Sequence, residues 1–314
     1  MEIAIAVVLA IVIALGALTQ MAPQAMTRWA LALERGRSGL TLKAQDIAGY
    51  TMPYLEGGHG EVLVLVHGFG GDKDNFTRIA RHLTPHFHVI IPDLPGFGDA
   101  SRDPSVRYCM ADQVQRLHLF LKALGITRLQ LGGNSMGGFI AVQYAAAYPL
   151  AVASLWLLDA AGTEAANQTP MMANYEATGE LPLLLRSLSD GDALINATMS
   201  RPPFFPGFIK KVLAQRGVAD YALHSKIMQD LKHHSPPLET QFSTLDTPAL
   251  IVWGSQDKVL SPQAAQTLQK LLPNHQSILM QGIGHLPMLE APKLTAQDYL
   301  AFLKNWSQRQ QGTR

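Results

Sequence analysis

The sequence predicts an α/β protein, in which a mostly parallel β-sheet is flanked by helices on both faces. Short apolar runs, each about the length of one strand, alternate along the chain with longer segments of helical periodicity. The runs are continuously apolar, which is typical of strands that helices cover on both sides. Both observations indicate a sheet that lies inside the protein.

The composition narrows the class of protein. Of the 314 residues, 47% are hydrophobic and only 16% are charged, and the net charge is +1. The near-neutral balance argues against a nucleic-acid partner, because such proteins normally carry a basic excess. The apolar content argues against disorder. The single cysteine, Cys109, excludes an internal disulfide framework and a cysteine-based metal cluster.

The first segment of the chain is its most hydrophobic part. Ile3–Leu18 contains only apolar residues and glycine. As a helix it would span roughly 24 Å, and the uncharged Thr19–Met21 extends it towards the ~30 Å thickness of a bilayer core. A buried core helix and a cleaved signal peptide are the alternatives, but no basic residue precedes the run and no A-x-A cleavage site follows it. We therefore expect residues 1–21 to form an uncleaved transmembrane anchor.

Residues 22–39 are expected to form a juxtamembrane helix. Pro23 suits its first turn, and apolar residues recur after it at helical spacing. Trp29 with nearby arginines suits a helix at the membrane interface, and the equally supported alternative is an ordinary helix packed on the domain. Basic residues on this side weakly favour a cytoplasmic position for the rest of the chain. They are Arg28, Arg35 and Arg37.

The strands and helices of the core follow from the length and period of the apolar runs. A pair of strands is predicted within residues 40–56. Further strands are predicted at Glu61–Val66, His88–Pro92, Arg128–Leu131, Val152–Leu158, Ala249–Trp253 and Gln276–Met280. Helices are predicted at Val106–Leu124, Met136–Tyr148, Ser261–Leu272 and Ala291–Trp306. Residues 40–161 and 245–314 should therefore form the core.

Residues 162–244 interrupt this alternation. They contain leucine, methionine, phenylalanine and proline in helical pieces and no convincing strand. We expect a helical cap, or lid, over the carboxyl edge of the sheet, which is the edge where open α/β sheets bind ligands.

The segment Gly133-Asn134-Ser135-Met136-Gly137 matches the pattern G-x-S-x-G between a predicted strand and a predicted helix. A nucleophile elbow requires this context, because glycines permit the sharp turn that exposes the serine. The dipole at the start of the helix favours developing negative charge there. Ser135 is therefore the candidate nucleophile, although the pattern on its own also occurs by chance.

A second glycine-rich loop, His67–Gly71, follows the strand predicted at Glu61–Val66. Acyl transfer needs two backbone N–H donors that stabilise the oxyanion. We assign one to Met136, directly after the nucleophile, and the other to Phe69 in this loop. The alternative is a plain glycine-rich turn.

A serine hydroxyl is a weak nucleophile, so it needs a base, and an acid must orient that base. For an elbow of this type the chain order is serine, acid, histidine. Asp257 and His285 each follow a predicted strand in that order. We assign Asp257 as the acid and His285 as the base, with Asp159 as the rival acid because it also ends a strand.

No metal site and no cofactor are predicted. The pairs His86/His88 and His233/His234 lack a third ligand at a useful spacing, so we expect solvated or packed roles. The segment Asp93–Gly98 should be a structural turn at the rim of the site.

With these residues in place, the chain resembles α/β-hydrolases over about residues 45–308. The segments HGFGGDKDNF, GNSMGG, LLDAAG and IVWGSQDKVL, together with the N-terminal span, are similar to membrane-anchored monoacylglycerol lipases and their bacterial lipase and phospholipase A relatives. The resemblance implies hydrolysis of carboxylic ester bonds in lipids without a cofactor, with Ser135, His285 and Asp257 as the catalytic residues. It also implies an inner-membrane location, with the bacterial relatives favouring the periplasmic side, and it leaves a homodimer open.

Two other functions remain open. The segment GNSMGG also occurs in soluble hydrolases that cleave carbon–carbon bonds of ring-fission products, and the N-terminal span counts against these. A membrane-tethered pseudo-hydrolase that only binds lipid or a partner is the second. Dehalogenases and epoxide hydrolases are disfavoured because they carry aspartate in place of Ser135. The apolar side chains of the segment 162–244 form either the cap's own core or the wall of an acyl-chain site. They include Leu181–Leu185, Phe204, Phe205 and Phe208.

Overall fold

The computed structural model describes Met1, residues 4–5 and residues 16–312. In this part of the chain no helix has both the length and the apolar character needed to cross a membrane. The predicted anchor, Ile3–Leu18, lies for the most part outside the described residues, so its transmembrane role stays a prediction.

Eight strands form the central sheet: β1 (Leu40–Ile47), β2 (Tyr50–Gly58), β3 (Glu61–Val66), β4 (Phe87–Pro92), β5 (Leu129–Asn134), β6 (Val152–Leu158), β7 (Ala249–Gly254) and β8 (His275–Met280). Their spatial order is β1-β2-β4-β3-β5-β6-β7-β8. The strand β2 pairs antiparallel with β1 and with β4, and all other neighbours are parallel. The predicted mostly parallel sheet is therefore confirmed.

Side chains of β3 show why its sequence is continuously apolar. Successive side chains of a strand point to opposite faces of the sheet. Leu63 and Leu65 join the core on one face, Val64 and Val66 join the core on the other, and all four are 0% exposed. Both faces of the sheet are covered, so that neither face can carry polar residues at low cost.

The helices are α1 (Pro23–Arg37), α2 (Thr77–Ala80), α3 (Met110–Ala123), α4 (Met136–Ala147), α5 (Pro170–Thr178), α6 (Asp190–Thr198), α7 (Gly207–Ala219), α8 (Tyr221–His234), α9 (Leu238–Gln241), α10 (Ala264–Leu271), α11 (Pro287–Glu290) and α12 (Pro292–Gly312). The helix predicted at Val106–Leu124 begins later, at Met110. A tertiary contact explains the difference. The Arg116 side chain donates to the carbonyl oxygen of Arg107 at 2.7 Å and so stabilises a non-helical backbone in the segment before Met110.

The helix α1 packs on the core through ion pairs. Arg35 Nε donates to Asp74 Oδ1 at 2.7 Å, and Glu34 accepts a hydrogen bond from Arg78 Nε at 2.8 Å. Trp29 is 60% exposed. The helix is thus attached to the domain, and the Trp29 side chain points away from the core into solvent. A position of this helix at the membrane interface stays a prediction.

Between β6 and β7, residues 162–244 contain the helices α5–α9 and no strand. The helix α7 is attached to the loop after β4, where Arg216 donates to Asp99 Oδ1 at 2.7 Å. In the same loop Arg102 Nε donates to Asp220 Oδ1 at 2.9 Å. Because this loop leaves the carboxyl end of β4, the helical segment lies against the edge at which Ser135 also stands.

Candidate active site

Ser135 occupies a tight turn between β5 and α4. Its φ angle is +54°, in the left-handed region that residues with a Cβ rarely adopt. A Cβ at Gly133 would lie 2.2 Å from the carbonyl carbon of Gly137, and a Cβ at Gly137 would lie 2.1 Å from the carbonyl oxygen of Val66. Only glycine fits at either position, which is why the strand and helix can approach closely and leave the serine at the apex.

The loop after β3 runs directly beside the serine. A Cβ on Gly68 would lie 3.1 Å from Ser135 Cβ. The next residue, Phe69, is half-buried, and its ring packs edge-on against Phe97 at a centroid distance of 5.5 Å. On the other side of Ser135, Met136 is the first residue of α4, where backbone N–H groups have no partner within the helix. Of the two predicted oxyanion donors, Met136 directly follows the serine in the chain, and Phe69 directly follows the glycine that lies beside it.

His67 holds the loop in place. Its Nδ1 lies 2.8 Å from the Gly68 carbonyl oxygen, and its Nε2 lies 3.1 Å from the Leu94 backbone nitrogen. Since the Leu94 N–H can only donate, Nε2 accepts and Nδ1 carries the proton. Burial lowers the pKa of His67, so that the ring is neutral. This histidine fixes the shape of the loop and is unrelated to proton transfer at Ser135.

Asp257 and His285 are in direct contact. His285 Nδ1 donates to Asp257 Oδ2 at 2.8 Å, and the Asp257 side chain is fully buried. Trp253 Nε1 donates to the same oxygen at 3.1 Å. The other oxygen, Oδ1, accepts hydrogen bonds from the backbone N–H groups of Val259 and Leu260 at 2.8 and 3.1 Å. Four donors thus hold the carboxylate, and the imidazole orientation follows from it.

The backbone of His285 is held from two sides. Its N–H donates to the Thr198 carbonyl oxygen at 2.8 Å, and Asn134 Nδ2 donates to its carbonyl oxygen at 3.0 Å. Asn134 directly precedes Ser135, so its side chain links the backbone at the nucleophile to the backbone of the histidine. In residues 16–312, no hydrogen bond joins the Ser135 hydroxyl to His285 itself.

Asp159, the rival acid, does not contact the imidazole through a hydrogen bond in the described structure. Its Oδ1 accepts the Gly254 backbone N–H at 2.8 Å. Burial and the nearby charge of Asp257 raise the pKa of Asp159 well above its ordinary value. Asp257 therefore holds the geometry expected of an orienting acid, and Asp159 lies behind it.

The side chains of Asp159, Asp257 and His285 offer ligand atoms within 4.8 Å of one another. The spacing alone would suit a cation. The Asp257 oxygens, however, face the N–H groups of Trp253, Val259 and Leu260, whose hydrogens carry partial positive charge. The surroundings therefore fit a hydrogen-bond network and disfavour a metal.

Lys73 is a structural residue of the site that the sequence did not reveal. Its side chain is 0% exposed, and its Nζ binds Asp93 Oδ2 and Asp99 Oδ2, both at 2.7 Å. Its backbone N–H donates to Asp93 Oδ1 at 2.7 Å. Burial alone would favour the neutral amine, but the charges of Asp93 and Asp72 raise the pKa of Lys73 overall. The ion pairs tie the segment after the Phe69 loop to the turn Asp93–Gly98, and the run of charges in GGDKDNF is the only signal the sequence offers for them.

Apolar side chains of residues 162–244 cover Phe69. A cluster built on Tyr175, Leu181 and Leu184 packs against its ring. The carbonyl oxygen of Leu183 lies 3.9 Å from the position that a Cβ on Gly70 would take. Phe204 is 84% exposed, and Phe205 packs on a different core cluster, which contains Trp156 and Tyr299. Of the residues considered for an acyl-chain wall, those at 181–184 are therefore close to the predicted oxyanion loop.

An α/β sheet with a glycine-lined serine elbow and a histidine–aspartate pair at its carboxyl edge defines a hydrolase-type enzyme. The chain belongs to the α/β-hydrolase fold family, whose sequence profile matches residues 61–292. The resemblance inferred from the sequence is thereby confirmed.

Within this family, the chain is similar to individual lipases and to a phospholipase A. The chain is 41% identical to Lipase 1 of Psychrobacter immobilis over 274 residues, which is 86% of each chain. It is 26% identical to the monoacylglycerol lipase ABHD6 of Mus musculus, covering 79% of this chain and 78% of that protein. A crystal structure of a bacterial membrane phospholipase A superposes with a TM-score of 0.88 at 36% identity, covering 97% of this chain and 99% of the other. The chain is an enzyme of the carboxylic ester hydrolase type, similar to lipases and phospholipase A.

Proposed function

We propose that this protein is a serine esterase that hydrolyses carboxylic ester bonds of lipids through an acyl-enzyme. Ser135 is the nucleophile, His285 the base and Asp257 the acid. The observation that carries the proposal is the hydrogen bond between His285 Nδ1 and the fully buried Asp257 carboxylate, beside a serine elbow. A base held in one tautomer next to a half-buried serine at the apex of an elbow is the arrangement that acyl transfer uses.

In the proposed reaction, the Nδ1–H of His285 donates its hydrogen bond to Asp257, which leaves Nε2 of His285 without a proton and able to act as the base. As Ser135 Oγ attacks the ester carbonyl carbon, Nε2 takes its proton. The N–H groups of Phe69 and Met136 stabilise the oxyanion, and the first turn of α4 adds its dipole. His285 then gives the proton to the leaving alcohol. In the second half of the reaction His285 takes a proton from water, which attacks the acyl carbonyl carbon, and then returns that proton to Ser135 Oγ as the fatty acid leaves.

The lipid character of the substrate is supported by two features. The chain is similar to lipases over most of its length. Apolar side chains at positions 181–184 also lie against Phe69, where the acyl part of an ester held by the oxyanion donors would extend. We infer a monoacylglycerol or a (lyso)phospholipid as the ester.

We further infer that Ile3–Leu18 anchors the enzyme in the membrane as a single span. Its length and lack of charge support the inference. The helix α1, attached to the core by Arg35 and presenting Trp29 outward, would then stand next to the bilayer. In this arrangement a lipid can pass to Ser135 without full transfer into water.

The function is tested by incubating the purified full-length protein with mixed glycerolipids in detergent micelles and identifying the products by mass spectrometry. Released fatty acids with the matching deacylated lipid, absent with Ser135→Ala, are expected. If lipids stay intact while a ring-fission dienone is cleaved, the enzyme is a carbon–carbon bond hydrolase instead. Lipid binding without turnover of any ester would indicate a pseudo-hydrolase.

A further inference from the structure

Asp159 is a buried carboxyl group that the proposed reaction does not use. It lies at the end of β6, is 0% exposed and forms no ion pair in the described part of the chain. The Gly254 N–H satisfies its Oδ1 at 2.8 Å. Its Oδ2 has no hydrogen-bond donor among the described residues. An ionised carboxylate is poorly stabilised in such a place, because burial removes water and nothing replaces it at Oδ2.

The group that faces Asp159 is another carboxyl. A carboxyl oxygen of Asp159, a carboxyl oxygen of Asp257 and a ring nitrogen of His285 all lie within 4.8 Å of one another. Glu290 is a further negative charge near Asp159. Two carboxylates cannot share a hydrogen bond unless one of them carries a proton.

The proton belongs on Asp159 for a geometric reason. Both oxygens of Asp257 already accept hydrogen bonds from protein N–H groups, four in total with His285 included. Asp159 receives only the one from Gly254. Burial, and then the charge of Asp257, raise the pKa of Asp159, while the Gly254 N–H opposes them only in part.

The backbone around Asp159 directs its side chain towards the triad. Its φ angle is +45°, a left-handed conformation that aspartate and asparagine adopt more readily than most residues. The Asp159 N–H donates to the Val252 carbonyl oxygen at 2.9 Å, which ties this turn to the strand that leads to Asp257. Asparagine would keep the turn, whereas alanine would lose both the turn preference and the carboxyl.

We propose that Asp159 is a positioning residue of the catalytic site: as a neutral carboxylic acid it donates its O–H to Asp257 and holds that carboxylate against His285. The proposal rests on the proposed function, in which Asp257 is the acid of the triad. The site is then a relay of hydrogen bonds from Asp159 through Asp257 to His285.

Infrared difference spectroscopy tests the protonation independently of activity. The spectrum of the full-length protein at pH 7 minus that of Asp159→Asn should contain the carbonyl stretch of a protonated carboxylic acid. Only a carboxylate band in that difference would overturn the proposal. Since this readout needs no substrate, it distinguishes failure of the proposal from failure of the proposed esterase function.

Steady-state kinetics test the positioning role with a matched pair of variants. Asp159→Asn keeps a donor towards Asp257 and an acceptor for Gly254, so it should lose far less kcat than Asp159→Ala and leave the acid limb of the kcat/KM profile in place. Asp159→Ala should lower kcat by on the order of 10²-fold with little change in KM, because the triad is no longer held in register. Equal losses in both variants would contradict the hydrogen-bond role. A shift of the acid limb to lower pH in Asp159→Asn would show that an ionised Asp159 had been raising the basicity of His285, and would also overturn the proposal.

Discussion

Asn134 Nδ2 donates a hydrogen bond to the backbone carbonyl oxygen of His285 at 3.0 Å, although 151 residues separate them in the chain. The same amide donates to the Leu158 carbonyl oxygen at 3.1 Å. Asn134 is 1% exposed, so water cannot replace these bonds. The residue before the nucleophile therefore joins the ends of two strands and sets where the histidine loop stands relative to Ser135.

Ser135→Ala should abolish ester hydrolysis without unfolding the protein, because it removes only the attacking oxygen. The measurement is turnover of a short-chain nitrophenyl ester, with circular dichroism and thermal unfolding as checks of the fold. Ser105→Ala, at an exposed serine, is the control and should keep full activity. Near-normal turnover by a folded Ser135→Ala preparation would refute the assignment of the nucleophile.

Asp257→Asn should lower kcat by on the order of 10⁴-fold, because an amide at this position favours the wrong tautomer of His285. The same substitution at Asp159 should cost far less, since His285 Nδ1 binds Asp257. Comparing kcat of the two variants on one ester ranks the two carboxyls. The opposite ranking would make Asp159 the orienting acid.

Removing residues 1–20 should release the protein from membranes and leave the site intact, since α1 and the sheet begin after this segment. The fraction in the soluble phase after high-salt and carbonate washes measures the release, and nitrophenyl ester turnover measures the site. A truncated chain that still pellets with membranes would place the anchor elsewhere.

Leu184→Ala should change the chain-length preference of the enzyme. Leu184 is 7% exposed in the cluster that packs against Phe69. Each CH₂ that such a wall buries contributes about 0.8 kcal/mol, so that long-chain esters should lose more kcat/KM than an acetyl ester.

Phe205→Ala is the matched control for this effect. The Arg78 guanidinium lies 5.1 Å from the centroid of the Phe205 ring, and the ring packs on the core cluster that contains Trp156, whereas the cluster at Phe69 does not include it. The substitution should lower stability while scaling kcat/KM alike for all esters. If Leu184→Ala also scales all chain lengths equally, the cluster serves only its own packing.

Lys73→Met should destabilise the fold by about 3–5 kcal/mol, because it leaves Asp93 buried without its counter-ion. Both partners are 0% exposed and 2.7 Å apart. The free energy of unfolding in urea is the measurement. Lys43→Met, which breaks a surface pair with Glu56, is the control and should change it little. Equal changes in the free energy of unfolding for the two substitutions would show that the buried pair stabilises the fold no more than the surface pair does.

Asp99 should make the attachment of α7 sensitive to acid. Partial burial opposes ionisation, but hydrogen bonds from Lys73 and Arg216 lower the pKa of Asp99 well below its ordinary value. A carboxyl with a lowered pKa in the folded state contributes stability that is present above its unfolded pKa, about 4, and is lost as the pH falls towards the folded value. Asp99→Asn should therefore flatten the stability profile below about pH 4, as followed by urea unfolding, and an unchanged slope would contradict the role.

Some parts of this protein follow from the sequence alone. The strand at Glu61–Val66 and the strand at Val152–Leu158 match the structure to the residue, because two-sided burial in a parallel sheet favours a mostly apolar run. The elbow is equally local, since Gly133 and Gly137 are needed by close approach of the backbone within one turn. Such features depend on neighbours in the chain, and the pattern of residue types records them.

Tertiary structure alone decided the rest. Contacts between residues far apart in the chain bring Asp257 rather than Asp159 to His285 and bury Lys73 between two carboxylates. Such contacts also place Phe205 on the core cluster of Trp156 and not on the cluster at Phe69. Each of these residues has the same intrinsic preference in either role. The free energy of a buried charge or hydrogen bond depends on the partner that the fold brings to it, and a single sequence does not record that partner.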